Sequence, residues 1–152
     1  MTNSQLIMTD KCGLIMGVAN DRSIAWGIAM AAHTQGAKLA FTYQGDAIKK
    51  RVEPLAKSVG SQLVFPCDVT DEASMDAVFS GVEEAWGGLN FVVHAIAYSD
   101  KEELKGQYID TTPGNFASTM AISCYSFTAV CQRARKLMAG GGSLLTLTYF
   151  GA

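Results

Sequence analysis

The stretch Lys11 to Tyr43, KCGLIMGVANDRSIAWGIAMAAHTQGAKLAFTY, constrains the fold of this chain more than any other. Its apolar run Leu14 to Val18 has the length of a buried strand, and the polar turn Asn20-Asp21-Arg22-Ser23 follows it. Ile24, Ile28 and Ala31 then recur at helical spacing, marking the expected core face of a helix that Gly36 stops. A second apolar run, Ala37 to Tyr43, comes next. Two strand-length runs flanking a helix make a βαβ unit, whose crossover forces the strands parallel. Where the first strand hands over to the helix, free N–H groups and the helix dipole favour an anion such as a dinucleotide pyrophosphate.

The alternation continues along the chain. Ile48, Val52, Leu55 and Val59 form an apolar stripe opposite Lys49, Lys50, Arg51 and Lys57. Pro54 is expected to kink this helix or to open a shorter one. Gln62 to Cys67 reads as a third strand. In the turn after it, Thr70 or Asp71 can cap a helix with Met75, Val78, Phe79 and Val82 inward. Gly87-Gly88 ends that helix before a nearly all-apolar fourth strand, Leu89 to Ala97. Tyr98 to Thr111 has no clean period, and such loops commonly carry function. Thr112-Pro113 marks the start of a helix to about Met138, with Phe116, Met120, Cys124, Phe127, Val130 and Leu137 inward. Gly140-Gly141-Gly142 turns into a fifth strand, Ser143 to Phe150.

This order predicts one α/β dinucleotide-binding domain over 1–152, a Rossmann-like doubly wound parallel sheet with helices on both faces. A bare apolar segment such as LLTLTYF is an unprotected edge, so the domain is expected to be incomplete at its C-terminus.

Composition excludes several classes of function. With 17% charged residues and a net charge of -2, the chain offers no electrostatic footprint for nucleic acid. No run approaches the ~20 apolar residues a membrane span needs, and MTNSQLIMTD lacks the parts of a signal peptide. Cys12, Cys67, Cys124 and Cys131 form no close CxxC pair and are expected to be reduced, mostly buried thiols of a cytoplasmic protein. His33 and His94 have no neighbours at metal-ligand spacing, so no metal is expected.

The candidate site residues follow from the strand ends. Gly17 would let a pyrophosphate approach closely, or is simply a glycine in a tight turn; the sequence is no G-x-G-x-x-G fingerprint, and Gly27 is expected to serve helix packing. Ser23 offers a hydroxyl and an N–H to a phosphate and can also cap the helix. Gln44, at the end of the second strand, can hydrogen-bond ribose hydroxyls without repelling a 2′-phosphate; Lys49, Lys50 and Arg51 could attract one, although a solvated helix face is the better account of these three. These residues leave NAD and NADP both open. Asp68 is placed to read an adenine amino group with Val69 against the ring, or to cap a turn. Ala95, Ile96 and Ala97 would face the middle of a cofactor or pack the core. Tyr149 is expected to point a phenol into the crevice at the strand ends, where it could donate to a carbonyl or enolate oxygen, or else it is a strand tyrosine that serves packing.

GVANDRSIAWGIA, FTYQGD, CDVT, HAIAYSDKEELKGQY and LLTLTYFGA, in that order, closely resemble the bacterial enoyl-acyl-carrier-protein reductases, a divergent branch of the short-chain dehydrogenase/reductase family. The resemblance runs from Gly13 to Ala152. The form Gly-x5-Ser-Ile-Ala-x-Gly, Gly17 to Gly27, is far more specific than a lone glycine. The resemblance implies NADH-dependent reduction of a trans-2-enoyl thioester in fatty-acid elongation, with hydride passing to the β-carbon and the resulting enolate then protonated. It assigns Gly17, Ser23, Ile24, Gln44, Asp68, Val69 and Ile96 to the cofactor, Ser99 to the substrate, and Tyr149 to the first of two active-site tyrosines. Gln44 in place of a basic residue resembles the NADH-using members. Substrate delivery by acyl-carrier protein and a homotetramer at full length are also implied. The family's second tyrosine and the lysine of its Tyr-x6-Lys pair would lie beyond Ala152, so these 152 residues alone are expected to be inactive and poorly soluble.

Two rival readings share the fold. A mainstream short-chain dehydrogenase acting on alcohols or ketones would show Thr-Gly-x3-Gly-x-Gly and Asn-Asn-Ala-Gly, where this chain has GVANDRSIAWG and HAIA. A non-catalytic nucleotide-binding module would need the natural chain to stop where this one does.

Overall fold

The computed structural model describes residues 6–150; residues 1–5, which belong to the segment read above as no signal peptide, and 151–152 lie outside the described residues. Strands β1 (Cys12–Met16), β2 (Lys38–Tyr43), β3 (Val64–Pro66), β4 (Phe91–His94) and β5 (Ser143–Thr146) form one sheet in the order β3-β2-β1-β4-β5, every pair parallel. At the N-terminal end of the β1–β4 pair, Asn90 clasps Cys12. The Cys12 N–H donates to Asn90 Oδ1 at 2.8 Å, and the Asn90 N–H donates to the Cys12 carbonyl at 2.9 Å.

Apolar runs fill both faces of this sheet, as buried parallel strands require. Leu14, Met16, Ala40 and Val92 enter one layer, packed by Met75, Val78, Phe79 and Val82 of α3 (Glu72–Trp86). Ile15, Leu39, Phe41 and Val93 enter the other, under α1 (Ile24–Thr34) and α2 (Asp46–Ser58). The doubly wound architecture is therefore as expected. Asp71 caps α3 by accepting from the Ala73 N–H at 3.0 Å, and Gly87 ends it in the left-handed region at φ 66°.

Several local expectations are corrected. The buried face of α1 is Ala25, Trp26 and Ala29, whereas Ile24 and Ala31 are exposed and Ile28 is half-buried. The segment is apolar on nearly every side, so periodicity could not select a face. Shape does: two alanines let the helix sit close to the sheet, and Trp26 lies 6.1 Å from the Phe41 ring. Gly27 is exposed, with open space where a Cβ would stand, so it serves no close packing. Helix α2 runs through Pro54, which lies on the exposed side and costs one i→i−4 bond without ending the helix.

The long helix expected over 112–138 is three pieces: α4 (Pro113–Met120), a π-turn (Ala121–Tyr125) and α5 (Ser126–Leu137). Thr112 caps α4, accepting from the Asn115 N–H at 3.2 Å. The wider turn shifts the register, so Phe116, Met120 and Cys124 point outward. Val130 is buried as expected, and the rest of the inward face of α5 is Ser126, Ala129 and Ala134. Cys67 is buried, but Cys124 is exposed and Cys12 and Cys131 are intermediate, so the thiols are not mostly buried. Among the described residues no helix is long and apolar enough to cross a membrane.

Candidate functional site

The sheet winds one way from β1 to β3 and the other way from β1 to β5, leaving a crevice beyond the C-terminal ends of β1 and β4. A cleft of about 650 Å³ opens there. Its floor is the Gly17–Ala19 turn. One end is formed by Tyr43-Gln44 and by Cys67 to Thr70, the other by Ala95 to Tyr98 with Ser118 and Ile122.

Gly17 sits at φ +100°, where a side chain is strained, and a Cβ would fall inside the van der Waals envelope of the Ala95 carbonyl. This position needs glycine for the backbone alone, whatever binds above it. The turn that follows is organised by Ser23, whose Oγ accepts from the Ala19 and Asn20 N–H groups at 3.0 and 3.1 Å. Its own N–H donates to the Asn20 carbonyl at 3.2 Å, so that donor is not free for a phosphate as the sequence led one to expect. Nor does its hydroxyl cap α1. What remains is the hydroxyl proton, at the positive end of the helix. Ser23 and the exposed Ile24 stand outside the lining of the cleft.

At the far end, Gln44 Nε2 donates to Asp68 Oδ2 at 3.0 Å. The other carboxylate oxygen accepts from the Thr70 hydroxyl at 2.6 Å and from the Thr70 N–H at 2.8 Å. These two Thr70 bonds hold the Asp68 carboxyl below the usual carboxylate range against desolvation by burial, with Gln44 adding a lesser contribution. Val69 lines the cleft beside it. Lys49 does not face this end as a free cation: its ammonium lies 5.8 Å from the Tyr43 ring centroid and 3.7 Å from Glu53 Oε1. Cys67 also lines the cleft, and burial pushes its thiol up to about 11, so it stays protonated.

At the near end, Ile96 lines the cleft and is half-buried. Ser99 does not line it. Its hydroxyl is tied to α4, accepting from Asn115 Nδ2 and from Thr119 Oγ1, each at 3.2 Å. Tyr149 departs furthest from expectation: β5 ends at Thr146, and Tyr149 is 89% exposed and outside the cleft lining.

Thr70 entered the reading of the sequence only as a possible helix cap, and Ser118 and Ile122 did not enter it. Thr70 was legible, since Asp-x-Thr after a strand is a local Asx-type turn. Ser118 and Ile122 gave no signal, since neither belongs to the apolar positions expected to face inward.

The family model described as Enoyl-(Acyl carrier protein) reductase matches residues 17–152. The chain is 61% identical over 152 residues to "Enoyl-[acyl-carrier-protein] reductase [NADH] 1" of Rhizobium meliloti (strain 1021), covering 100% of this chain and 56% of that protein. It is 48% identical over 146 residues to "Enoyl-[acyl-carrier-protein] reductase [NADH] FabI" of Rickettsia bellii (strain RML369-C), covering 96% of this chain and 56% of that one. Among solved structures, it matches the Anaplasma phagocytophilum enoyl-acyl-carrier-protein reductase in complex with NAD with a TM-score of 0.93 and 55% identity, over 97% of this chain and 56% of the other. The chain thus spans about half the length of the curated relatives it matches. With the matched region running from the Gly17 turn onward, the chain belongs to the enoyl-acyl-carrier-protein reductase family.

Proposed function

We propose that this chain is the cofactor-binding part of an NADH-dependent enoyl-acyl-carrier-protein reductase that reduces the trans-2 double bond of enoyl thioesters in fatty-acid elongation. The observation that carries the reading is the Gln44–Asp68 pair at one end of a cleft that begins on the Gly17 turn. The residues fit a dinucleotide: a hydrogen-bonding amide and an ionised carboxylate at the adenosine end, the Gly17–Ala19 turn as the floor, and small residues Ala95 and Ala97 at the other end. When bound, NADH supplies the hydride.

In this reading Asp68 and Val69 hold the adenine, Gln44 the ribose, and Ser23 with the first turn of α1 at Ile24 the pyrophosphate. Gly17 keeps the floor low and Ile96 packs against the cofactor at the end opposite Asp68. The carboxylate coupled to Gln44 disfavours a 2′-phosphate there, which supports NADH over NADPH. Ser99 would act by anchoring the 98–111 loop beside the substrate, and Tyr149 would donate its phenol proton to the substrate's developing oxyanion once the segment after β5 is folded over the cleft. We assign the protein to the cytoplasm and expect it to assemble as a homotetramer. The exposed Phe116, Met120 and Tyr125 along α4 and the π-turn support self-association. Acyl-carrier protein is the expected donor of substrate.

The test is NADH oxidation by the protein at its natural length with a trans-2-enoyl thioester, compared with NADPH and with a ketone substrate. Thioester-dependent turnover with NADH is expected. Turnover of ketones but not enoyl thioesters would overturn the assignment.

A further inference from the structure

One buried ionisable side chain has no place in that reading. His94, 1% exposed, closes β4 immediately before the cleft wall Ala95 to Tyr98. Its Nε2 lies 2.7 Å from Ser126 Oγ, and its Nδ1 lies 3.2 Å from Thr146 Oγ1. The proton inventory gives these contacts a direction. Ser126 Oγ is 2.6 Å from the Ile122 carbonyl, and a carbonyl only accepts, so the hydroxyl's one proton goes there. Toward His94 the serine therefore accepts, and Nε2 carries the hydrogen. In the neutral ring Nδ1 accepts from the Thr146 hydroxyl. The result is a one-way chain from β5 through β4 to the helical wall: Thr146, His94, Ser126, Ile122. The groups facing the ring from β5, the π-turn and α5 are Thr146, Ser126 and Phe127, whose ring lies 5.5 Å away; none is charged. Burial accordingly holds the imidazole below its ordinary range.

The end of the chain lies where the cleft wall is set. The Ser126 N–H donates to the Ala121 carbonyl, five residues back, while its hydroxyl takes the Ile122 carbonyl, four back. A side chain that claims this carbonyl competes with the α ladder and favours the wider turn. Two residues of that turn face the site. Ile122 lines the cleft, and Ser123 Oγ accepts from the Tyr98 N–H at 2.9 Å and donates to the Tyr98 carbonyl at 3.1 Å.

We propose that His94 is a positioning residue: its Nε2–H, acting through Ser126, sets the π-turn and so places Ile122 and Tyr98 along the end of the cleft opposite Gln44 and Asp68. Naming that end as the nicotinamide side rests on the NADH reading; the wall itself does not.

The experiment uses the protein at natural length with Ser126→Ala, His94→Phe and His94→Gln. NADH and ADP serve as probes, since ADP carries the adenosine and diphosphate but nothing that reaches the end formed by Ala95 to Tyr98. Hydrogen exchange at the Tyr98 N–H reports the wall without any ligand. Ser126→Ala and His94→Phe should weaken NADH about tenfold, leave ADP within about twofold, and speed Tyr98 exchange about tenfold. His94→Gln, which keeps a donor near the place of Nε2, should recover most of both losses. NADH and ADP weakening in parallel would mean a general structural role and overturn the proposal, as would unchanged Tyr98 exchange in the Ala and Phe variants. Should the unmodified protein bind ADP but not NADH, the cofactor reading fails, and the exchange result alone decides the role of His94.

Discussion

Gln44 Nε2 and Asp68 Oδ2 meet at 3.0 Å, so the ends of β2 and β3 are joined by side chains across the mouth of the cleft. Neither residue is preset by the backbone alone. Asp68 is oriented by Thr70, and its own N–H donates to Ser74 Oγ at 2.9 Å on α3, so the carboxylate is aimed before any ligand arrives.

Removing that carboxylate frees Gln44 and the Thr70 turn together. Asp68→Ala should weaken ADP binding by about tenfold to a hundredfold, the range for a hydrogen bond to a charged group. Titration calorimetry at constant salt checks it. The pH dependence follows in sign. A carboxyl held below its ordinary value stays ionised from neutral pH downward, so affinity should remain flat and fall only below about pH 4. A midpoint near neutrality would contradict this assignment.

Gly17→Ala should destabilise the fold by about 3 kcal/mol or more, since it combines a strained φ of +100° with a clash on the Ala95 carbonyl. Thermal unfolding without nucleotide is the measurement. A variant as stable as the parent that binds NADH poorly would instead mean that the glycine serves only the ligand.

Ser23→Ala removes the acceptor of two backbone N–H groups and should cost about 1–2 kcal/mol of stability along with pyrophosphate affinity. Ser23→Thr keeps the oxygen and should retain most of both. Denaturant midpoints for the two variants settle it, and equal losses would show that the hydroxyl is not what matters.

His94 makes stability depend on pH. Its folded-state pKa lies below the ordinary 6.5, so between the two values the unfolded chain binds more protons. Stability should therefore be fully present above pH ~6.5 and decline as pH falls below it. Denaturant midpoints measured from pH 8 to 5.5 should slope this way in the parent and much less in His94→Gln. An equal slope in both would assign the effect elsewhere.

How far the sequence reached depended on which force decided each feature. The layout of α3 was fully legible: Met75, Val78, Phe79 and Val82 repeat cleanly, and Asp71 and Gly87 punctuate them. The α1 face was not, because a segment with apolar residues on every side carries no contrast, and fit against Phe41 chose Ala25, Trp26 and Ala29. Gln44 and Asp68 could each be singled out at strand ends, but their contact depends on β2–β3 register, which no local pattern encodes. The outward turn of Phe116, Met120 and Cys124 was hidden for a similar reason. One extra residue in a helical turn follows from Ser126 and its partner His94, 32 residues away.

The clasp between Cys12 and Asn90 joins residues 78 apart, and it bears on how the molecule is made. β1 is the central strand, yet one of its two flanks is completed only when Phe91–His94 has been synthesised. At a ribosomal pace of about 5–20 residues per second, that flank waits several seconds after β2 has emerged. Throughout that interval Leu14, Ile15 and Met16 offer an open, apolar strand to anything nearby. The nascent polypeptide is thus most vulnerable to mispairing at the strand that becomes its most protected one.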